Sequence, residues 1–269
     1  MTQFAANEAR PAICDGVFAT WDDACRASDT VQDTFAGERW LKRMTQQLED
    51  YRAEYRAHGT ARPPRPTNLP FVAAMTSPHA VIDIDLGGSS GWWCWDYLTH
   101  TVPQLAIEAY TIVENERVVE YMTQSGLQAA PVTYTASGCG LGRCDLLYCN
   151  SVLQYFGSNA PLLDLVEQTT PTHILLDDLL AGRDGDWFSR QRNYDVSIPH
   201  RFIGLKPLLA DLKGRGYRLS LKVPHLSPIR GMLTTLPMDN LPEPYRIRYA
   251  SSLLFGKGAG AEVGVEVDR

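Results

Sequence analysis

The 269-residue sequence lacks any apolar run near the ~18–20 residues that a membrane-spanning helix needs. Its opening stretch, MTQFAANEARPAICDG, has neither the basic nor the apolar region of a secretory leader, so a cytoplasmic protein is expected. There is no basic excess: 25 Lys and Arg stand against 31 Asp and Glu, a net charge of −6 without a Lys/Arg run. That argues against a nucleic-acid backbone as the main partner. None of the six cysteines (14, 25, 94, 139, 144 and 149) forms a C-x-x-C pair, which favours reduced thiols over a disulfide frame. The six histidines are scattered with no H-E-x-x-H spacing, so no metal site is expected. No G-x-x-x-x-G-K-[ST] loop, internal repeat or low-complexity tract is present.

What is present divides at a proline-rich connector. Residues 20–58 have helical periodicity, with Trp40, Leu41, Met44, Leu48 and Tyr51 on one face and Gly59 as the stop. TARPPRPTNLP then interrupts any helix four times with proline. Beyond a short helix ending before Pro78, near-continuous apolar runs at 80–86, 106–114, 131–137, 145–152, 173–180 and 217–223 read as strands. YRIRYASSLLF (245–255) reads as a last strand. Helical segments lie between them, the pattern of a mostly parallel sheet covered on both faces. The expected organisation is an N-terminal helical segment, residues 1–68, serving as a lid over an α/β domain at 69–269. Ligands of such sheets sit at the carboxyl ends of the strands.

The stretch DLGGSSGWWCW (85–95) falls between the first strand and first helix of the sheet. Gly87, Gly88 and Gly91 allow a tight turn and close approach of a ligand. Glu114, at the end of the second strand, stands where a carboxylate grips both ribose hydroxyls. Read as G-x-G-x-x-G from Gly87, however, the second glycine is Ser89 and the third position is Trp92. A pyrophosphate loop requires small residues there, so a nucleoside without phosphates is expected. Gly87–Gly91 also matches the G-x-S-x-G nucleophile elbow, with Ser89, Asp177 or Asp178, and His225 in hydrolase order. No strands or oxyanion loop precede it, and that reading leaves Glu114 without a role. A catalytically silent binding or scaffold protein is the other alternative.

With these residues in place, the chain resembles a class I S-adenosylmethionine (SAM) methyltransferase. VIDIDLGGSSG resembles that superfamily's first motif, Glu114 its ribose-binding acid, and CDLLYCNSVLQYF its fourth-strand motif at the methionine end of the cofactor. More narrowly, VEN, SVLQY and ILLDD resemble a group of methyltransferase-like proteins of polysaccharide and natural-product gene clusters, a subset of which are azetidine-2-carboxylate synthases. The resemblance runs from about residue 80 to 225. The fifth-strand DDLL departs from the D-R-T-P of the polysaccharide-cluster members.

The resemblance implies a Rossmann-like class I methyltransferase fold, a seven-stranded mostly parallel sheet with helices on both faces. It implies SAM as methyl donor or as the substrate itself. Cofactor contacts are expected from Asp85, Gly87, Gly88, Ser89, Gly91 and Trp92, from Glu114 and Asn115, and from Ser151 and Tyr155. Aromatic faces around the sulfonium, drawn from Trp92 or Trp93, Tyr155, Phe156 and Tyr194, would contribute by cation–π attraction. The synthases imply catalytic roles for Asn150 and for Tyr194, in the polar loop SRQRNYDVSIPH. That narrower resemblance, with no evident acceptor base, favours cyclisation of SAM to azetidine-2-carboxylate with loss of methylthioadenosine. Methyl transfer to a small-molecule acceptor is the alternative. The expected partner is a small molecule, with neither nucleic acid nor membrane, and the chain is compatible with a homodimer.

Overall fold

The computed structural model describes residues 12–29, 34–63, 65–76, 81–88, 92–125, 131–182, 184–193, 196–225, 227–229 and 232–258. The chain begins with β1 (Cys14–Phe18) and α1 (Trp21–Arg26), capped by the Thr20 hydroxyl, which accepts from the Asp23 N–H. The long α2 (Glu38–His58) ends on Gly59 at φ 68°, the left-handed cap that glycine adopts without a Cβ clash. Its predicted apolar stripe, from Trp40 to Tyr51, is buried. α3 (Leu69–Thr76) follows the proline connector.

The sheet then builds in alternation: β2 (Val81–Leu86), α4 (Trp92–Thr101), β3 (Ile107–Val113), α5 (Glu116–Gln124), β4 (Val132–Thr135), β5 (Leu146–Asn150), α6 (Ala160–Thr169) and β6 (His173–Leu179). After an insertion formed by β7 (Ala181–Gly182), β8 (Trp187–Asn193) and β9 (Val196–Gly204) come α7 (Leu205–Gly214) and β10 (Tyr217–His225). A short ribbon, β11 (Ser227–Ile229) with β12 (Met232–Thr234), leads to β13 (Ala250–Lys257).

The seven-stranded sheet has the order β10-β13-β6-β5-β2-β3-β4. Only β13 runs against the others, antiparallel to both β6 and β10. The Rossmann-like, seven-stranded and mostly parallel sheet with helices on both faces is the arrangement expected from the sequence. The order reverses beside β2, so the crevice between the ends of β2 and β5 is where a ligand belongs. β5 is buried at all five positions, as a central parallel strand must be. One face packs Tyr110, Ile112 and Tyr148 against α2, α3, α4 and α5. The other packs Leu147, Ile174 and Leu176 against α6 and α7. α2 therefore shares the sheet's own core instead of forming a separate one. All six cysteines are free thiols.

Three local expectations are corrected. The N-terminal segment is not wholly helical, because β1 pairs antiparallel with β8. SRQRNYDVSIPH is not a loop: its described residues, 189–193 and 196–200, lie in the antiparallel β8–β9 pair of a second sheet, β1-β8-β9-β7. Several inward positions of that pair are polar, with Ser189, His200 and Arg201 fully buried, and this hid the strand pattern. The last strand starts at Ala250, not at Tyr245. Glu243–Tyr245 instead forms a 3₁₀ turn after Pro242, and the Arg246 guanidinium donates to the Leu241 carbonyl at 2.6 Å.

Candidate active site

A cavity of about 530 Å³ lies at the carboxyl ends of β4, β3, β2 and β5. Four neighbouring strand ends span three spacings, roughly 14 Å at ~4.8 Å each. That is room for a nucleoside joined to an amino-acid chain. Phe35, Trp40, Gln47 and Arg65 line it from the N-terminal half of the chain.

The turn after β2 is shaped by contact. Gly87 has φ 67° and its N–H donates to the Val113 carbonyl at 2.8 Å. A Cβ there would lie 2.5 Å from Val152 Cγ1, so no side chain fits without moving β5's exit loop. A Cβ at Gly88 would run into the Asp85 carboxylate. Asp85 is buried, and the Tyr110 hydroxyl donates to its Oδ2 at 2.9 Å. Burial pushes its pKa up to about 7, opposed by the Tyr110 hydrogen bond. An unfolded aspartate titrates near ~3.9. The contribution of Asp85 to stability is therefore fullest below about pH 4 and is lost as pH rises through about 7. Melting temperatures of the wild type and Asp85→Asn measured between pH 4.5 and 8 should diverge, the wild type losing ground as pH rises; a constant difference contradicts this assignment.

At the end of β3, Glu114 lines the cavity with its carboxylate already oriented. The Asn115 backbone N–H and side-chain Nδ2 donate to its Oε2 at 2.9 and 3.0 Å. Asn115 also caps α5, its Oδ1 accepting from the Val118 N–H, and its Nδ2 reaches the Phe35 carbonyl at 3.1 Å. The amide expected to touch a ligand is thus engaged in holding Glu114, α5 and the entry to α2.

At the end of β5, Ser151 sits at φ 59°, a left-handed conformation that costs a non-glycine residue about 1 kcal/mol or more. Its N–H donates to the Asp177 carbonyl and its hydroxyl accepts from Gln154 Nε2. Asn150 is 8% exposed; its Nδ2 donates to the Tyr148 hydroxyl at 2.7 Å and to the Pro66 carbonyl at 3.3 Å. Its Oδ1 is buried with no hydrogen-bond partner among the described residues. The Tyr155 ring lines the cavity between Phe35, at 4.6 Å, and the edge of His200. Burial pushes the Tyr155 hydroxyl up to about 12.

The cavity therefore gathers Asp85, Gly87, Gly88, Glu114, Asn115, Asn150, Ser151 and Tyr155 of the residues expected from the sequence. Ser89, Gly91 and Tyr194 lie outside the described residues, as does the side chain of Trp92. Trp93 and Phe156 line the cavity, Trp93 while buried in the core beside α2. Of the hydrolase set, Ser89 lies outside the described residues, and the described partners of His225 and Asp177 are other groups. His225 Nδ1 pairs with Ser252 at 3.0 Å, while the Asp177 carboxylate accepts from Thr67 and Asn68. Sequence reading missed Phe35, Gln47 and Arg65, and took Trp40 only as core. The one available signal was an arginine set between prolines at 64 and 66.

No protein-family model matches the sequence, and no curated protein matches it. Among solved structures, the chain is similar to an S-adenosylmethionine-dependent methyltransferase from Mesorhizobium loti. There the identity is 16% and the TM-score 0.44, over 70% of this chain and 97% of that one. It is also similar to the magnesium protoporphyrin IX methyltransferase from Synechocystis PCC 6803 with bound SAM. That match has 12% identity and a TM-score of 0.44, over 90% of this chain and all of the other. The glycopeptide N-methyltransferase MtfA, solved with S-adenosyl-L-homocysteine, has 10% identity and a TM-score of 0.47, over 71% of this chain and 89% of that one.

Proposed function

We propose that the chain is a SAM-dependent enzyme that transfers the methyl group to a small-molecule acceptor. The observation that carries the reading is the pairing of Glu114 with the turn at Gly87 at neighbouring strand ends, in a cavity bearing Asp85, Glu114 and Asp164. The negative charge of Glu114 and Asp164 in the lining suits a cation. Glu114 would take the ribose hydroxyls, and the turn at 85–88 would pass along the methionine chain. Asn150 Oδ1 would accept from the α-ammonium, which satisfies the buried oxygen that lacks a partner. The aromatic wall of Phe35, Trp40, Tyr155 and Phe156 would keep water from the sulfonium and leave space for an acceptor beside the methyl. Residues 1–68 would act as the cover of this site, closing it against water.

Methyl transfer needs only a nucleophile in line with the methyl carbon; the bond from that carbon to sulfur breaks and S-adenosylhomocysteine leaves. Cyclisation needs the α-amine to surrender its proton before attacking the γ-carbon. The Tyr155 hydroxyl, pushed up to about 12, is not suited to take it. One observation still favours cyclisation as a second reading: an amide fixed by Tyr148 and Pro66 is a suitable holder for that amine.

Incubating the protein with SAM alone and analysing products by mass spectrometry separates the two. Methyl transfer is expected to give no turnover until an acceptor is added, then S-adenosylhomocysteine. Methylthioadenosine with a four-membered-ring amino acid, and no acceptor present, overturns it in favour of cyclisation.

A further inference from the structure

Arg65 is the one cation among the cavity's described lining residues, otherwise acidic, polar or apolar, and it makes no hydrogen bond or ion pair among the described residues. An arginine that faces a cavity without a partner retains five donors in a planar fork suited to a carboxylate. Its place is set by chain chemistry. Prolines at 63, 64 and 66 limit the backbone on either side. Immediately downstream the connector is pinned to the sheet: the Asp177 carboxylate accepts from the Thr67 hydroxyl at 2.9 Å, the Asn68 N–H at 2.7 Å and Asn68 Nδ2 at 3.2 Å. The Thr67 hydroxyl also bonds the Tyr148 hydroxyl at 2.7 Å, and Asn150 Nδ2 bonds the carbonyl of Pro66, the residue next to Arg65.

The result is a donor and an acceptor in the lining of one cavity, on residues joined through the contact of Pro66 with Asn150. Arg65 supplies positive charge, and Asn150 supplies a buried oxygen without a partner. That combination complements a zwitterion, with carboxylate toward the guanidinium and ammonium toward the amide. Arg65 lies near Arg43, which burial and then Arg65 and Arg39 hold below the ordinary arginine range. The acids Glu114 and Asp164 line the same cavity. Resting on the SAM-binding reading above, we infer that Arg65 anchors the α-carboxylate of the bound SAM, on a connector that Asp177 holds against the sheet.

Calorimetric titration of the full chain with three probes tests this: SAM, SAM lacking its carboxylate (decarboxylated SAM), and methylthioadenosine, which lacks the whole amino-acid group. The wild type should prefer SAM over decarboxylated SAM by roughly 10- to 100-fold, the effect of one charge-assisted bidentate contact. Arg65→Gln should remove that preference while leaving methylthioadenosine affinity unchanged, and Arg65→Lys should restore part of it. An unchanged melting temperature would show that the variants fold. If Arg65→Gln keeps the preference, or loses affinity for all three probes equally, the anchor is wrong while the SAM site stands. If neither SAM nor methylthioadenosine binds the wild type, the SAM reading fails and this inference with it.

Discussion

Glu114→Gln is expected to weaken SAM binding about 100-fold while leaving the fold intact. A carboxylate that accepts from two ribose hydroxyls makes two charge-assisted hydrogen bonds, each contributing ~1.5–3 kcal/mol. The isosteric amide keeps one acceptor, loses the charge and turns a donor toward the second hydroxyl. A net loss of ~3 kcal/mol corresponds to the 100-fold. The side chain is already oriented, because the Asn115 N–H and Nδ2 both bind Oε2, so little ordering is left to the ligand. Glutamine can still accept there, and Asn115 still caps α5 through Val118. Since the ribose is common to SAM, S-adenosylhomocysteine and methylthioadenosine, all three should weaken together. A change of less than about threefold would remove Glu114 from the ribose site.

Asp177→Ala is expected to be the most destabilising of these substitutions, lowering the melting temperature by about 10 °C. Asp177 is 1% exposed and receives three donors from the connector. Deleting the carboxylate strands those donors, at ~1–3 kcal/mol for each one left buried, or on the order of 3–5 kcal/mol together. For a domain of this size, each kcal/mol shifts the transition by ~2–4 °C. The effect should extend to the cavity, because residues 65–68 would no longer be held near Asn150. Asp177→Ala should therefore lose SAM affinity as well as stability. A melting shift below about 2 °C would mean that the connector is held by other contacts.

The parts of the fold legible in the sequence were those that follow from local periodicity. β2, β3, β5 and β6 carry apolar runs fit for a buried parallel strand, and α2 carries an uninterrupted stripe from Trp40 to Tyr51. Glu114 could be found because its position depends on one βαβ spacing from the glycine turn. Other features depend on pairings across the whole chain. β1 lies opposite β8, with Cys14 against Gln191, and nothing in CDGVF marks it as an edge strand. The β8–β9 pair was obscured because buried polar residues such as Ser189 and His200 read as loop residues. In the fold, Arg201 is fully buried, bonded to Asp186 and Asn159. Arg65 was equally hidden. Its neighbours in sequence are prolines, and only contacts formed in the fold, such as that of Pro66 with Asn150, bring the connector to the cavity.

The reading as a SAM site, rather than a phosphate-bearing nucleotide site, meets its most direct test in calorimetric titration of the wild-type chain with SAM, S-adenosylhomocysteine, NADH and ATP. SAM and S-adenosylhomocysteine are expected to bind in the micromolar range, one per chain and dependent on Glu114, with no heat from NADH or ATP. Tight binding of NADH or ATP with none of SAM would contradict the account.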